Sequence, residues 1–300
     1  MPYLNEEDVI NTINSINNTI DIDYEIIAID DHSDNITDLS MFKNVHHVRN
    51  PNRIGVDESR DFGVSLAKYN NILIIDSHMR FNKGWAKKII DCIKRDPKTI
   101  WCTTCLALGY GNMDIDRAKE RYYGATILFT DKNCNPNLPA REILEPKWAS
   151  KKNELEYEIP CILGANYAFD KNWYNYIHGL KGLKMWGTSE PFLSIKSWLA
   201  GGQCKITTEV EIGHKFRNNA PYATPIWTMV YNKLFLCKTT LDNELSEKLI
   251  GYMIKNAPFN LAMNNIINNS KFIEEERKYY DSIFRRNIYD YCSHFKINLP

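Results

Sequence analysis

Residues 71–85 read NILIIDSHMRFNKGW, and their reading decides the fold. Ile72 to Ile75 form a short apolar run of the kind that fills a buried strand of an α/β sheet. The run stops at Asp76-Ser77-His78, a carboxylate and an imidazole two residues apart. If the extended conformation persists through Ser77, both side chains project to the same side. Open α/β sheets bind ligands at the carboxyl ends of their strands. A hard oxygen beside an imidazole nitrogen suits Mn²⁺ or another divalent ion holding a phosphate-bearing substrate. A strand ending in a polar turn is the plainer reading of an isolated D-x-H, so the rest of the chain has to decide.

Outward from this stretch the pattern repeats. Ile26 to Ile29 make a second apolar run, ending in Asp30, Asp31, His32, Ser33 and Asp34. Val9, Ile10, Ile13 and Ile16 recur at helical spacing before it. Residues 57–70 predict a helix with Phe62, Leu66 and Tyr69 inward, and residues 85–93 an amphipathic helix. Strands ending in acidic clusters, with helices between, predict an α/β fold with a Rossmann-like, mostly parallel sheet and flanking helices. Thr99 to Leu108 and residues 205–214, ending in His214, read as further strands, and residues 173–178 as a helix. Residues 110–160 read as strands and loops without regular periodicity. Helical patterns follow residue 226, broken at Asn256-Ala257-Pro258, and residues 274–291 predict one surface helix. The expected organisation is a domain over residues 1–235 and a helical extension over residues 236–300 packed on it.

Bulk composition bounds the function. Lys plus Arg and Asp plus Glu number 37 each in 300 residues, so no net field draws the chain to nucleic acid or an anionic membrane. Hydrophobic residues at 44% are ordinary for a folded protein. No apolar run approaches the roughly 18 residues of a membrane span. The polar start, MPYLNEEDVINT, is unlike a signal peptide. The eight cysteines are scattered, and Cys102 and Cys105 lie in a strand-like setting that predicts buried thiols. A reducing, cytoplasmic setting is the expectation.

Three separated segments together resemble the catalytic domain of polypeptide N-acetylgalactosaminyltransferases, metal-dependent nucleotide-sugar enzymes of GT-A fold related to family-2 glycosyltransferases. They are EIIAIDDHSDN (25–35), RIGVDESRDFG with NILIIDSHMRFNKGW (53–63 and 71–85), and MWGTSEPFLSIKSWLAGG with IGHKFRNNAPY (185–202 and 212–222). The resemblance implies that Asp76, His78 and His214 ligate a divalent ion, by likeness Mn²⁺, and that Arg217 contacts the pyrophosphate of a UDP-sugar. It places Asp31 at the uridine, with Asp30 as the alternative, and Arg53 in the nucleotide site. Arg60 reads as structural. Trp186 and Tyr222 match an aromatic at a lid and its partner loop. Where the family has Trp-Gly-Gly-Glu-Asn, this chain has Trp186-Gly187-Thr188-Ser189-Glu190. Ser189 thus replaces a sugar-contacting Glu, and Glu190 stands where inverting family-2 enzymes carry a general base. Gly164-Ala165 replaces a Gly-Gly near the sugar.

What the resemblance implies is transfer of a hexose or N-acetylhexosamine from a UDP-sugar to an acceptor hydroxyl on a glycan, a protein or another molecule, with retention. An inverting reaction with Glu190 as base, and a non-catalytic nucleotide-sugar or glycan binder of the same fold, are the alternatives. Modified viral DNA as acceptor gets no support from the neutral charge. The family's first strand is expected to be missing, since the chain begins almost at the Asn5-Glu6-Glu7 turn. With neither lectin domain nor anchor, the expectation is against a peptide transferase of the secretory pathway.

Overall fold

The computed structural model describes residues 1–109, 113–118, 120–130, 142–217 and 222–300. Pro2–Tyr3 (β1) and Val9–Asn17 (α1) lead to Ile26–Asp30 (β2) and Val45–Arg49 (β3). These strands form a parallel three-stranded sheet in the order β1-β2-β3. Then come Val56–Leu66 (α2), Asn71–Ile75 (β4), Met79–Phe81 (β5), Trp85–Arg95 (α3) and Thr99–Leu108 (β6). Four short strands follow, Arg121–Tyr122 (β7), Ala125–Ile127 (β8), Pro146–Trp148 (β9) and Glu156–Glu158 (β10), then Asn166–Asp170 (β11) and Lys171–Tyr176 (α4). Ser189–Leu199 (α5) and the long strand Gln203–Lys215 (β12) complete the sheet-forming part.

The larger sheet runs β10-β12-β6-β11-β4, with β5 paired to β12 and β7 to β6. β6 and β12 are parallel, whereas β11 is antiparallel to both β4 and β6. Its central strands β6 and β11 are buried on both faces. Ile74, Ile100, Cys102, Tyr167 and Phe169 face one core cluster, and Ile75, Trp101 and Ala168 the other. That period-2 split of unbroken apolar runs is what a sheet covered on both sides requires. All seven described cysteines are free and buried, as expected for packing thiols; Cys134 lies outside the described residues.

Ile226–Thr240 (α6), Asn243–Met253 (α7), Phe259–Asn268 (α8), Ser270–Ile283 (α9) and Ile288–Phe295 (α10) form the C-terminal helical layer. The boundary expected at 235/236 falls inside α6, a continuous helix, and one core cluster spans both sides of it. The single helix expected over 274–291 is two, because Phe284 turns extended and the Arg285 and Arg286 N–H groups bond Leu199 O at 2.7 and 3.1 Å. α9 is a surface helix with one buried face, formed by Ile273, Glu276, Tyr280 and Ile283, and with Lys271, Glu274, Glu275 and Lys278 on its exposed side.

Two further expectations are corrected. The first strand is present: β1 is short but pairs Tyr3 with Asp30, and Asp31 N–H bonds Tyr3 O at 2.8 Å. In α2, Phe62 and Tyr69 beyond its end are exposed at 38% and 47%; the buried face is Asp57, Ser59, Arg60 and Val64. An inward face of this polarity marks the helix as part of a site rather than ordinary core. No helix among the described residues is long and apolar enough to cross a membrane.

Candidate metal and nucleotide-sugar site

β4 ends at Ile75, and Asp76-Ser77-His78 form the turn into β5. Thr12 of α1 fixes that turn from below, donating to Ser77 O and accepting from Met79 N–H, both at 2.9 Å. Met79 pairs across the sheet with His214, and Lys215 N–H bonds His78 O at 3.2 Å. Strand register therefore brings together residues 136 positions apart. His78 Nε2 and His214 Nε2 lie 3.1 Å apart, and His214 Nε2 is 3.2 Å from Asp76 Oδ2. The three ligand atoms all lie within 4.8 Å of one another.

A second set of side chains orients the first. Glu6, just after β1, accepts from His78 Nδ1 at 2.9 Å and also pairs with Arg217. Its carboxyl feels an upward push from burial, but hydrogen bonds from His78 and Asp8 N–H and the Arg217 charge outweigh it and hold it at about 2. Anchoring Nδ1 in this way leaves Nε2 for a metal. Arg60 donates to Asp76 Oδ1 and to Gly164 O, each at 3.1 Å. Asp76 is pushed up by burial, yet His214 and Arg60 together hold it well below the usual carboxylate range.

These groups line one cavity of about 600 Å³. Of the residues expected from sequence, Asp31, Arg53, Gly164, Trp186, Glu190, Arg217 and Tyr222 reach it with the three ligands. Arg53 lies over the Tyr222 ring, 5.1 Å from its centroid; Pro221 of the same motif lies outside the described residues. Arg53 Nε, Arg217 Nε and His214 Nδ1 are buried without a hydrogen-bond partner among the described residues. Asp31 accepts from Ile54 N–H and Gly55 N–H at 2.8 Å and from the Asn50 amide at 2.9 Å, which fixes the loop carrying Arg53.

Asp30 and Ser189 do not line the cavity. Asp30 is fully buried, paired with Arg49 at 2.5 Å and capped by Ser33 N–H. Ser189 donates to the buried Asp57 at 2.6 Å. Burial pushes the Asp57 carboxyl up to about 8, with Arg60 and Ser189 offsetting only part of the cost. Glu190, the next residue, has its carboxyl raised by burial, Arg60 opposing and Asp76 adding to the shift. It packs against Gly164 so closely that a Cβ there would lie 2.1 Å from Oε1. Gly55, at φ 95°, is likewise required, since a Cβ would meet the Met185 backbone at 2.1 Å.

The sequence pattern gives Glu6 no role beyond its turn, and Arg60 reads as structural; in the structure both contact proposed metal ligands. The Asn5-Glu6 turn was the available signal for Glu6, but only strand pairing shows what it faces. Replacing Glu6 with Gln removes the charge shared by His78 and Arg217. It is expected to weaken Mn²⁺ binding by about 10- to 100-fold, measured by calorimetry. Unchanged affinity would show that Glu6 does not orient the site.

Residues 1–177 match the family model described as Glycosyl transferase family 2. The chain is similar to human polypeptide N-acetylgalactosaminyltransferase 10, 26% identical over 238 residues, covering 75% of this chain and 38% of the relative. It is also similar to mouse polypeptide N-acetylgalactosaminyltransferase 4, 24% identical over 296 residues, covering 89% of this chain and 50% of the relative. The chain thus spans well under two thirds of these relatives' length. Among solved structures, GalNAc-T7 with UDP, GalNAc and Mn²⁺ superposes with a TM-score of 0.69 at 17% identity, over 99% of this chain and 57% of that one. Staphylococcus aureus TarS 1-349 with UDP-GlcNAc gives 0.52 at 12% identity, over 89% and 73%. These likenesses show the GT-A fold, and the match over more than half its length shows that the chain belongs to glycosyl transferase family 2.

Proposed function

We propose that this protein is a metal-dependent glycosyltransferase that moves a hexose or N-acetylhexosamine from a UDP-sugar to an acceptor hydroxyl, with retention. The observation that carries the reading is the convergence of Asp76, His78 and His214 with Arg217 in one cavity. The donor set fits a divalent ion such as Mn²⁺. Nitrogens and an oxygen 3.1 and 3.2 Å apart match neighbouring positions around such an ion, roughly 3 Å for ligands at about 2.1 Å. When bound, the ion neutralises charge on the diphosphate leaving group.

The chain's own residues do the rest. The Arg217 guanidinium has donors to spare beyond Glu6 and serves the pyrophosphate, as guanidinium groups do in pairs of hydrogen bonds. Arg53, with Tyr222 against it, serves the nucleotide, and Asp31 holds the Arg53 loop at the uridine side. Trp186 and Tyr222 flank the cavity where a lid would keep water from the activated sugar. The UDP, GalNAc and Mn²⁺ held by the structural relative GalNAc-T7 support this assignment. Screening UDP-hexoses and UDP-N-acetylhexosamines with Mn²⁺ and candidate acceptors should release UDP. Absence of UDP from every donor would overturn the reading.

One observation favours a second reading. Glu190 lines the cavity and its carboxyl is raised by burial, toward the range suited to a general base. An inverting displacement would use it to deprotonate the acceptor. Under the retaining reading, Glu190→Gln keeps turnover within about tenfold; under the inverting one it removes about 100-fold or more. The anomeric configuration of the product, read by NMR, checks the same point.

A further inference from the structure

The loop from Lys184 to Thr188 carries Trp186 to the cavity rim in a backbone conformation that L-residues seldom adopt. Met185 and Thr188 have φ of 55° and 66°, and Gly187, between Trp186 and Thr188, has 111°. Non-glycine residues in this region persist only where the surroundings dictate them. One side chain makes most of the hydrogen bonds to this loop. Asn232, fully buried in α6, accepts Lys184 N–H at 2.8 Å through Oδ1. Its Nδ2 donates to Lys184 O at 2.9 Å, Gly187 O at 2.8 Å and Trp186 O at 3.4 Å. From the other side, Asp57 N–H reaches Met185 O at 3.3 Å. The backbone is clamped, while the Trp186 ring stays 47% exposed.

Asn232 does not itself line the cavity; it reaches the site only through the backbone of the Trp186 loop. We infer that Asn232 is a positioning residue, holding the Trp186 loop in the conformation that covers the donor sugar and so setting the balance between transfer and hydrolysis. The inference rests on the proposed sugar transfer. It also gives α6, at the head of the C-terminal helical layer, a part in the site. An amide is required: it presents an acceptor and two N–H donors to a backbone that offers both kinds of partner. A carboxylate would face three carbonyl oxygens, and an alkyl group would leave all of these partners unbonded.

The test compares Asn232→Asp and Asn232→Ala with Leu249→Ala, a core truncation in α7 that removes packing without touching the loop. Native-state trypsin cleavage after Lys184 should quicken by about tenfold in the Asn232 variants and not in Leu249→Ala. The fraction of UDP-sugar hydrolysed rather than transferred should rise by a similar factor, about tenfold, with UDP affinity within about twofold of the parent. Cleavage and partition equal to those of Leu249→Ala would overturn the inference. If Asn232→Asp fails to fold, Asn232→Ala decides, because it introduces no charge. Should no donor yield UDP at all, the proposed activity falls, while the cleavage comparison still decides whether Asn232 holds the loop.

Discussion

Asp76→Asn is expected to lower UDP release by about a thousandfold, a loss of about 4 kcal/mol of transition-state stabilisation. The side chain keeps its shape but loses the charge that a divalent ion needs, and the remaining ligands are two imidazoles. Its carboxylate is held ionised by His214 at 3.2 Å and Arg60 at 3.1 Å, against the cost of burial. Mn²⁺ affinity should fall in parallel, while far-ultraviolet circular dichroism stays unchanged. Activity within about tenfold of the parent would mean that Asp76 is not a ligand.

Arg60→Met has the largest expected effect on stability. Arg60 is 5% exposed, bonds Asp76 and Gly164 O, and lies 3.7 Å from Asp57 with its ring-facing side over Tyr167. Removing the cation leaves two carboxyl groups without their partner, which costs about 3–5 kcal/mol in buried pairs. Native proteins are stable by only about 5–15 kcal/mol, so the urea midpoint should drop sharply. The sign with pH follows from the same groups. Without Arg60 both carboxyls have higher folded-state pKa values than in the parent, so the variant's native state binds more protons. Asp57, already at about 8 in the parent, moves higher still, so the stability deficit widens as pH rises from about 7 to about 9. A deficit below about 1 kcal/mol, or one that narrows over this range, would show that Arg60 does not compensate these charges.

Much of this was legible in the residues. Apolar runs ending in acidic residues marked β2 and β4, because strands buried on both faces leave no other pattern. Asp76, His78 and His214 were identified together only through the resemblance; the structure supplies the cause, the register that pairs Met79 with His214. What escaped were roles set by long-range contact. Hydrophobicity outweighs charge in periodicity, so the pattern predicts Phe62 and Tyr69 on the inner face of a helix over 57–70. The helix instead turns Asp57 and Arg60 inward, where each finds a polar partner. The roles of Glu6 and Asn232 are hidden in sequence, since His78 lies 72 residues from Glu6 and the loop that Asn232 holds lies 45 or more residues from it. The short β1 escaped because two residues are too few to show a period.

Isothermal titration of UDP into the protein, with Mn²⁺ and again with EDTA, tests the central claim most directly. The account predicts binding in Mn²⁺ that is lost on chelation and lost again in His214→Ala, because the diphosphate is held through the ion at Asp76, His78 and His214. UDP binding of equal strength in EDTA, or none under either condition, would contradict it.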